Sequence, residues 1–305
     1  MKKRILLTGI LLLLSETCSF AGAGTTAVNF LKMPQGNRAT AMGSSFVAFA
    51  EGPTAVYWNP AGLAKGIFNE ARLIYNNWFE GIYYGFAAYR HNLKSGGLGA
   101  GITYLNSGTI TRRENGRDIS GSSYDLKNIA VSAGHGLKVS EYVNLGIAVK
   151  YIMETADGEA MGGISGGVGS QYQRKVEEHI IRAGVSVMNL GGKMGYDDKY
   201  PLPAVIRIGI GDELLNGRFR GGAECDYYLQ EDNIHGGMGV EFAAAPFLDL
   251  RCGYRFGRKD VVFPYGVTAG FGVKYTEVVE YCFDYSIATI GDLGFVHRVG
   301  FGVRF

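Results

Sequence analysis

The sequence predicts an all-β protein, a transmembrane antiparallel β-barrel of about fourteen strands, and three observations carry that expectation. Glycine supplies 47 of 305 residues, about 15% and roughly twice ordinary usage. From about residue 70 to the end, large apolar side chains alternate with small or charged ones in segments of some ten residues. Beyond the first two dozen residues no run of about 18 apolar residues occurs, so a chain in a membrane must cross it as a closed barrel.

The glycine calls for a specific use. A collagen period is absent, and a disordered chain would not carry 19 Tyr and 17 Phe in a sequence that is 47% hydrophobic. The alternation is clearest from Tyr265 to Tyr275, where Val267, Phe271 and Val273 stand on one parity and Gly266, Thr268, Gly270, Gly272 and Lys274 on the other. Leu145, Ile147 and Val149 oppose Asn144, Gly146, Ala148 and Lys150 in the same way, and Leu248 to Phe256 oppose Asp249, Arg251, Gly253 and Arg255. The segments fall at about 70–78, 81–92, 97–107, 124–137, 142–154, 163–175, 178–189, 203–211, 217–229, 233–244, 246–257, 263–275, 277–288 and 295–305. An even number suits a single-chain bacterial barrel. All seven prolines lie before the barrel, in connections or at the first residues of strands, where a missing N–H does least harm.

If the first strand runs outward, the odd-numbered connections include the long ones, 108–123, 155–162, 190–202 and 289–294, while several even ones are tight, such as those at Ala245 and Thr276. Long exterior loops and short periplasmic turns are the usual asymmetry of such barrels. The apolar faces end in aromatics such as Trp78, Tyr104, Tyr151 and Tyr275, as interfacial girdles do. A soluble β-sandwich also alternates, but its outer face would be rich in Lys, Glu and Thr, whereas glycine dominates the polar parity here.

The N-terminus reads as an export signal over 1–23. Lys2, Lys3 and Arg4 precede the apolar run Ile5–Leu14, and Ser19, Ala21 and Ala23 offer small residues for cleavage. Cys18 as a lipidation site fits poorly beside Glu16. Removing this segment leaves a formally neutral chain with no basic face for nucleic acid. Cys225, Cys252 and Cys282 are odd in number and widely spaced, and the five histidines form no H-E-x-x-H pattern, so neither a disulfide framework, a metal site, a cofactor nor a catalytic centre is expected. The strings Gly97–Gly101 and Gly162–Gly167 approach a phosphate-binding pattern, but no helix follows them.

Residues 24–69 differ in character. Small residues dominate from Ala39 to Ala50, and Asn59-Pro60 fixes an extended corner before Ala61-Gly62. Such a chain can lie flat against a glycine-lined wall, so the segment is expected to be a hatch or plug in the lumen of a barrel spanning 70–305. Its key residues are Arg38, Met42, Gly43, Asn59, Pro60, Ala61 and Gly62. By parity, Lys150, Arg182, Arg207, Glu224, Glu241, Arg251, Arg255, Asp284 and Arg298 face the lumen, with mixed signs that suit pairing across strands better than a selective ring.

The pattern Gly36-Asn37-Arg38-Ala39 through Met42-Gly43 to Phe46-Val47-Ala48, followed by Ala55-Val56-Tyr57-Trp58-Asn59-Pro60-Ala61-Gly62-Leu63-Ala64, resembles the N-terminal signature of the PorV/PorQ branch of FadL-like outer-membrane barrels. Val185–Gly191 leading to Pro201-Leu202-Pro203, and Gly291–Gly294 with His297–Phe301, are similar to that branch too. The resemblance implies a fourteen-stranded barrel with an N-terminal hatch in the bacterial outer membrane. It implies either a non-enzymatic partner of type IX secretion or surface-protein assembly, or a FadL-like channel for hydrophobic small molecules. The polar, glycine-rich inner parity tilts the expectation toward the first. Expected partners are outer-membrane lipid, the barrel-assembly machinery reading the terminal Phe305, and secretion-system proteins or cargo.

Overall fold

The computed structural model describes residues 25–78, 81–114, 117–231, 233–257, 266–290 and 294–305; the signal proposed for 1–23 lies outside them, as do Tyr265 and Gly291–Leu293. Fourteen strands form one closed antiparallel barrel. They are β1 (Glu70–Asn77), β2 (Tyr83–Leu93), β3 (Gly96–Asn106), β4 (Leu126–Lys138), β5 (Val143–Ala156), β6 (Glu159–Val176) and β7 (His179–Gly191), then β8 (Val205–Leu214), β9 (Phe219–Tyr228), β10 (Asn233–Ala245), β11 (Leu248–Phe256), β12 (Val267–Thr276), β13 (Glu280–Thr289) and β14 (Phe295–Arg304). Each pairs with the next in sequence, and β14 pairs back onto β1 with Glu70 opposite Arg304 and Asn77 opposite His297. Asn69 and Phe305 exchange backbone hydrogen bonds of 2.9 and 3.0 Å, which finishes the seam at the end where the barrel begins and stops. Closure leaves the wall no unpaired edge.

Period-two alternation becomes two faces. Ile147 is 62% exposed and Ile210 65% on the outside, whereas Arg207 and Glu241 are buried inside. A continuous outward belt of Ile, Val, Leu and aromatic side chains calls for hydrocarbon around it. Across the outer surface Phe271 stacks obliquely on Phe283 and Tyr285 at 6.3 and 5.6 Å between centroids, the cross-strand contact expected of ring pairs.

Connections at the terminal end are tight, such as Lys94–Ser95 between β2 and β3, and the opposite end carries the long loops. Three of those differ from the sequence expectation. The stretch 108–123 contains a hairpin of its own, Ile110–Glu114 with Arg117–Tyr124, which does not join the barrel sheet. The supposed loop 155–162 is almost all strand, because Asp157 and Gly158, both at positive φ (54° and 83°), make a two-residue turn that lets β5 and β6 run on beyond the outward belt. Within 190–202, Lys193–Met194 pairs with Tyr200–Pro201. The wall also carries a bulge where the β6–β7 register shifts between Gly166 and Val168.

Candidate functional site

The N-terminal segment packs against the inner face of this wall. A 3-10 turn at Asn29–Lys32 leads to α1 (Asn37–Ala41), then α2 (Ala55–Trp58) and a second 3-10 turn at Pro60–Ala64. Helices this short have little stability of their own, so contact with the wall has to hold them. Trp58 Nε1 donates to Gln35 O at 2.7 Å and Tyr57 OH to Leu31 O at 3.1 Å, tying the two halves of the segment together. Met42, Phe46, Phe49, Trp58 and Leu63 form its apolar centre, all buried.

The wall's glycines explain how the segment lies so close. The Met42–Gly43 backbone rests on Gly237, Gly239 and Gly253, and a Cβ on any of these would overlap it. Gly43 itself, at φ 63°, would place a Cβ 2.5 Å from Met238 O and 2.6 Å from Tyr254 O, so both its conformation and its space require glycine. Pro60 and Ala61 lie on Gly146 in the same manner, and the Phe49 ring on Gly211 and Gly222.

Polar bonds fix the register of this docking. Asn59 is fully buried: its amide donates to Val47 O (3.2 Å), Ser170 O (3.0 Å) and Val185 O (3.3 Å), and its Oδ1 accepts from Ala61 N at 3.1 Å. Its extended backbone (φ −159°, ψ 105°) is what the following proline demands, and Pro60 opens the 3-10 turn. Gln171 Nε2 donates to Val47 O and Ala50 O, and Glu224 accepts from the amides of Phe46 (2.6 Å) and Val47 (2.5 Å).

The inward charges sort by height. Near the terminal end runs a chain of ion pairs: Arg38 with Glu241 (2.7 Å), Glu241 with Arg251 (2.7 Å), Arg251 with Asp284 (2.5 Å), Asp284 with Arg72 (2.5 Å), Arg72 with Glu70 (2.7 Å) and Glu70 with Arg304 (3.1 Å). Arg220 joins at Glu241, and Arg182 pairs with Glu213. Arg38 also pairs with Glu51; burial alone would raise that carboxyl, but Arg38, Lys65, Arg182 and Arg220 together pull it down to about 2. At mid-height Arg207 stands 3.9 Å from Glu224 and 3.7 Å from Asp226, with its guanidinium over the rings of Tyr57 and Trp58. Lys150 donates to Asn189 at 2.8 Å. Arg255 and Arg298 lie toward the long-loop end. Sequence reasoning missed Arg90, which is buried and donates to Leu63 O (2.8 Å), Phe68 O (2.6 Å) and Gly66 O (3.1 Å), bolting the segment where it leaves for β1. Its inward parity between Tyr89 and His91 was the only signal available.

Two cavities flank the segment. The larger, about 920 Å³, opens among the long loops and is lined by Phe30, Met33, Leu105, Met161, Met194 and Val296, with Arg255 and Arg298 on its floor. The smaller, about 210 Å³, lies at the terminal end beside the ion-pair chain. Among the described residues no group of three His, Cys, Asp or Glu side chains is placed to hold a metal.

This architecture matches solved structures closely in layout and distantly in sequence. The Pseudomonas putida toluene transporter TodX aligns with a TM-score of 0.60 at 14% identity, covering 88% of this chain and 96% of that one. The two chains share one fold. The CymD monoaromatic hydrocarbon channel superposes on this barrel with a TM-score of 0.58 at 11% identity, over 88% of this chain and 96% of that one. A Pseudomonas aeruginosa FadL homologue does so at 0.53 and 11% identity, over 94% and 98%. No family model and no curated protein sequence matches the chain. Nothing in these comparisons distinguishes the PorV/PorQ branch.

Proposed function

We propose that this chain is an outer-membrane conduit for small apolar molecules, in which the N-terminal segment is the hatch. The cavity of about 920 Å³ carries the reading: an apolar chamber facing the long loops, seated on a docked segment, in a wall with an outward apolar belt. Pockets that are mostly apolar with a few placed polar groups are where small molecules bind. The solved structures with this fold include channels named for toluene and monoaromatic hydrocarbons, which supports the apolar-cargo reading over the secretion one favoured by the sequence. A role in secretion or surface assembly rests on the resemblance of residues 36–64, 185–203 and 291–301 and on the polar, glycine-rich inner parity.

Export by the N-terminal signal and assembly through the terminal Phe305 belong to the same proposal. Phe305 is half exposed and stacks on Tyr89 at 6.5 Å, at the seam between first and last strands. Deleting it lowers the amount of folded protein in the outer membrane; unchanged assembly in a bacterial host would remove the terminus from the proposal.

The transport reading is tested by uptake of labelled toluene into cells lacking their own conduit. Expression of the chain accelerates uptake, and the pair Leu105→Glu with Met161→Glu, checked as folded by heat-shifted gel mobility, cancels the gain. Uptake no faster than with an empty vector would overturn the apolar-conduit reading.

A further inference from the structure

The two cavities approach each other along one side of the barrel, beside β1, β13 and β14. On β14, Arg298 borders the large cavity and Gly300, the next inward residue, borders the small one. On β13, Ala288 borders the large cavity and Asp284 the small one, with Ser286 between them. On α1, Thr40 borders the large cavity and Asn37 the small one. Consecutive inward residues of a strand stand about 7 Å apart, so a single layer of side chains separates the two spaces.

That layer is polar, and the protein does not satisfy it. Asn76, Arg298 and Ser286 occupy one row, directly opposite one another across β1, β14 and β13. All three are at most 3% exposed, yet Asn76 Oδ1, Arg298 Nε and Nη1 and Ser286 Oγ have no protein partner. Thr40 Oγ1 and Asn37 Oδ1 face them from α1 in the same condition. Unpaired buried atoms also occur at Gln35, Gln171, Arg207, Glu224 and Asp226, but there the segment meets the wall through glycine backbone and direct hydrogen bonds as well. Leaving a buried polar atom unpaired is unfavourable, and six such atoms from four elements gathered in one strip call for water. A strip that offers donors and acceptors at both ends to two cavities is where bridging water belongs. Arg298 makes no ion pair among the described residues, so the strip carries an uncompensated positive charge. Asn37 holds it narrow, donating from Nδ2 to Asp284 O (3.1 Å) and Arg298 O (2.9 Å).

We propose that this seam is a wetted pore through the docked barrel, separate from any route for apolar cargo, and that it passes small hydrophilic anions. Arg298 sets the sign of the permeant ion. Asn37 sets the width.

The test uses the intact mature protein in planar bilayers under a potassium chloride gradient, with every variant first shown to be a folded barrel by heat-shifted gel mobility. The unmodified protein shows a small steady conductance whose reversal potential is that of a chloride-preferring pore. Arg298→Gln moves the reversal potential toward the potassium side, Ser286→Leu lowers the conductance several-fold by filling the strip, and Asn37→Ala raises it. If Ser286→Leu does not fold, Ser286→Val gives the same reading with a smaller side chain. A bilayer no more conductive than one without protein, or a conductance that ignores both Arg298→Gln and the Ser286 change, would overturn the proposal.

Discussion

The guanidinium of Arg38 grips the carboxylate of Glu241 with two hydrogen bonds, Nε to Oε2 at 2.7 Å and Nη2 to Oε1 at 2.8 Å, and this is where the N-terminal segment joins the chain of charges on the wall. Bidentate pairing of this kind sets position as well as energy. Replacing Arg38 with Met removes one partner of a buried pair but leaves Glu241 to Arg220 and Arg251, so the cost is below that of orphaning a lone charge, about 1–3 kcal/mol. The loss falls on docking, not on the barrel. Limited proteolysis should cut residues 25–64 faster in Arg38→Met while heat-shifted gel mobility is unchanged; equal cutting rates would show that the glycine contacts alone hold the segment.

Glu51 gives the same docking an acid limit. Its carboxyl is held at about 2 in the docked segment against 4.5 when free. A depressed carboxyl stabilises the state that depresses it at all pH above the free value, and loses that contribution as pH falls toward the bound one. Docking is therefore expected to weaken between about pH 4.5 and 2. Glu51→Gln, neutral throughout, should flatten that part of a pH series of proteolytic protection, and an unchanged series would assign the acid sensitivity to the wall carboxylates.

Much of the barrel was legible because a wall with hydrocarbon on one side and a glycine-requiring contact on the other imposes two different residue sets on alternate positions. The run Leu248–Phe256 shows this plainly, with Leu250 and Cys252 exposed outside and Asp249 and Arg251 buried inside. What was not legible depends on contacts between distant strands. Alternation tells nothing of which carboxylate Arg251 meets, since Glu241 lies ten residues away and Asp284 thirty-three. Arg90 escaped because its partners in the N-terminal segment are backbone carbonyls, which leave no trace in the sequence. The Asp157-Gly158 turn did leave one, a dipeptide suited to positive φ, and the stretch around it reads as a loop only if that signal is passed over.

The two faces of β12 should fail in different ways. Phe271 stands on the outer aromatic cluster, so Phe271→Arg places a charge against hydrocarbon and costs the barrel about 2–4 kcal/mol near the midplane. Thr268 lies inside, where its hydroxyl donates to Ala41 O at 2.9 Å and accepts from Gly43 N at 3.0 Å. Thr268→Arg should leave the barrel folded and release the segment. Denaturant titration in bilayers together with proteolysis separates the two, and a loss of barrel stability in both variants would contradict two environments across one strand.

The N-terminal segment itself carries the last expectation. A fourteen-stranded barrel is wider than the eight-stranded kind that side chains fill, so its lumen stays open unless something occupies it. Here the occupant is the chain from Ala27 to Leu63, whose Met42, Trp58 and Leu63 are buried between opposite walls. Removing residues 25–64 while retaining residues 1–24 takes out that material together with Arg38, Asn37 and Asn59, which hold it to β10, to β13 and β14, and to β6 and β7. The truncated barrel should conduct in planar bilayers far more than the intact protein, and should admit hydrophilic solutes that the intact protein excludes. Bulky replacement at Gly43 should move the intact protein part of the way toward that state, because its Cβ would strike the β10 and β11 backbones. A folded truncation with the conductance of the intact protein would mean that the segment does not close the lumen, and that residues 25–64 act instead in a contact outside it.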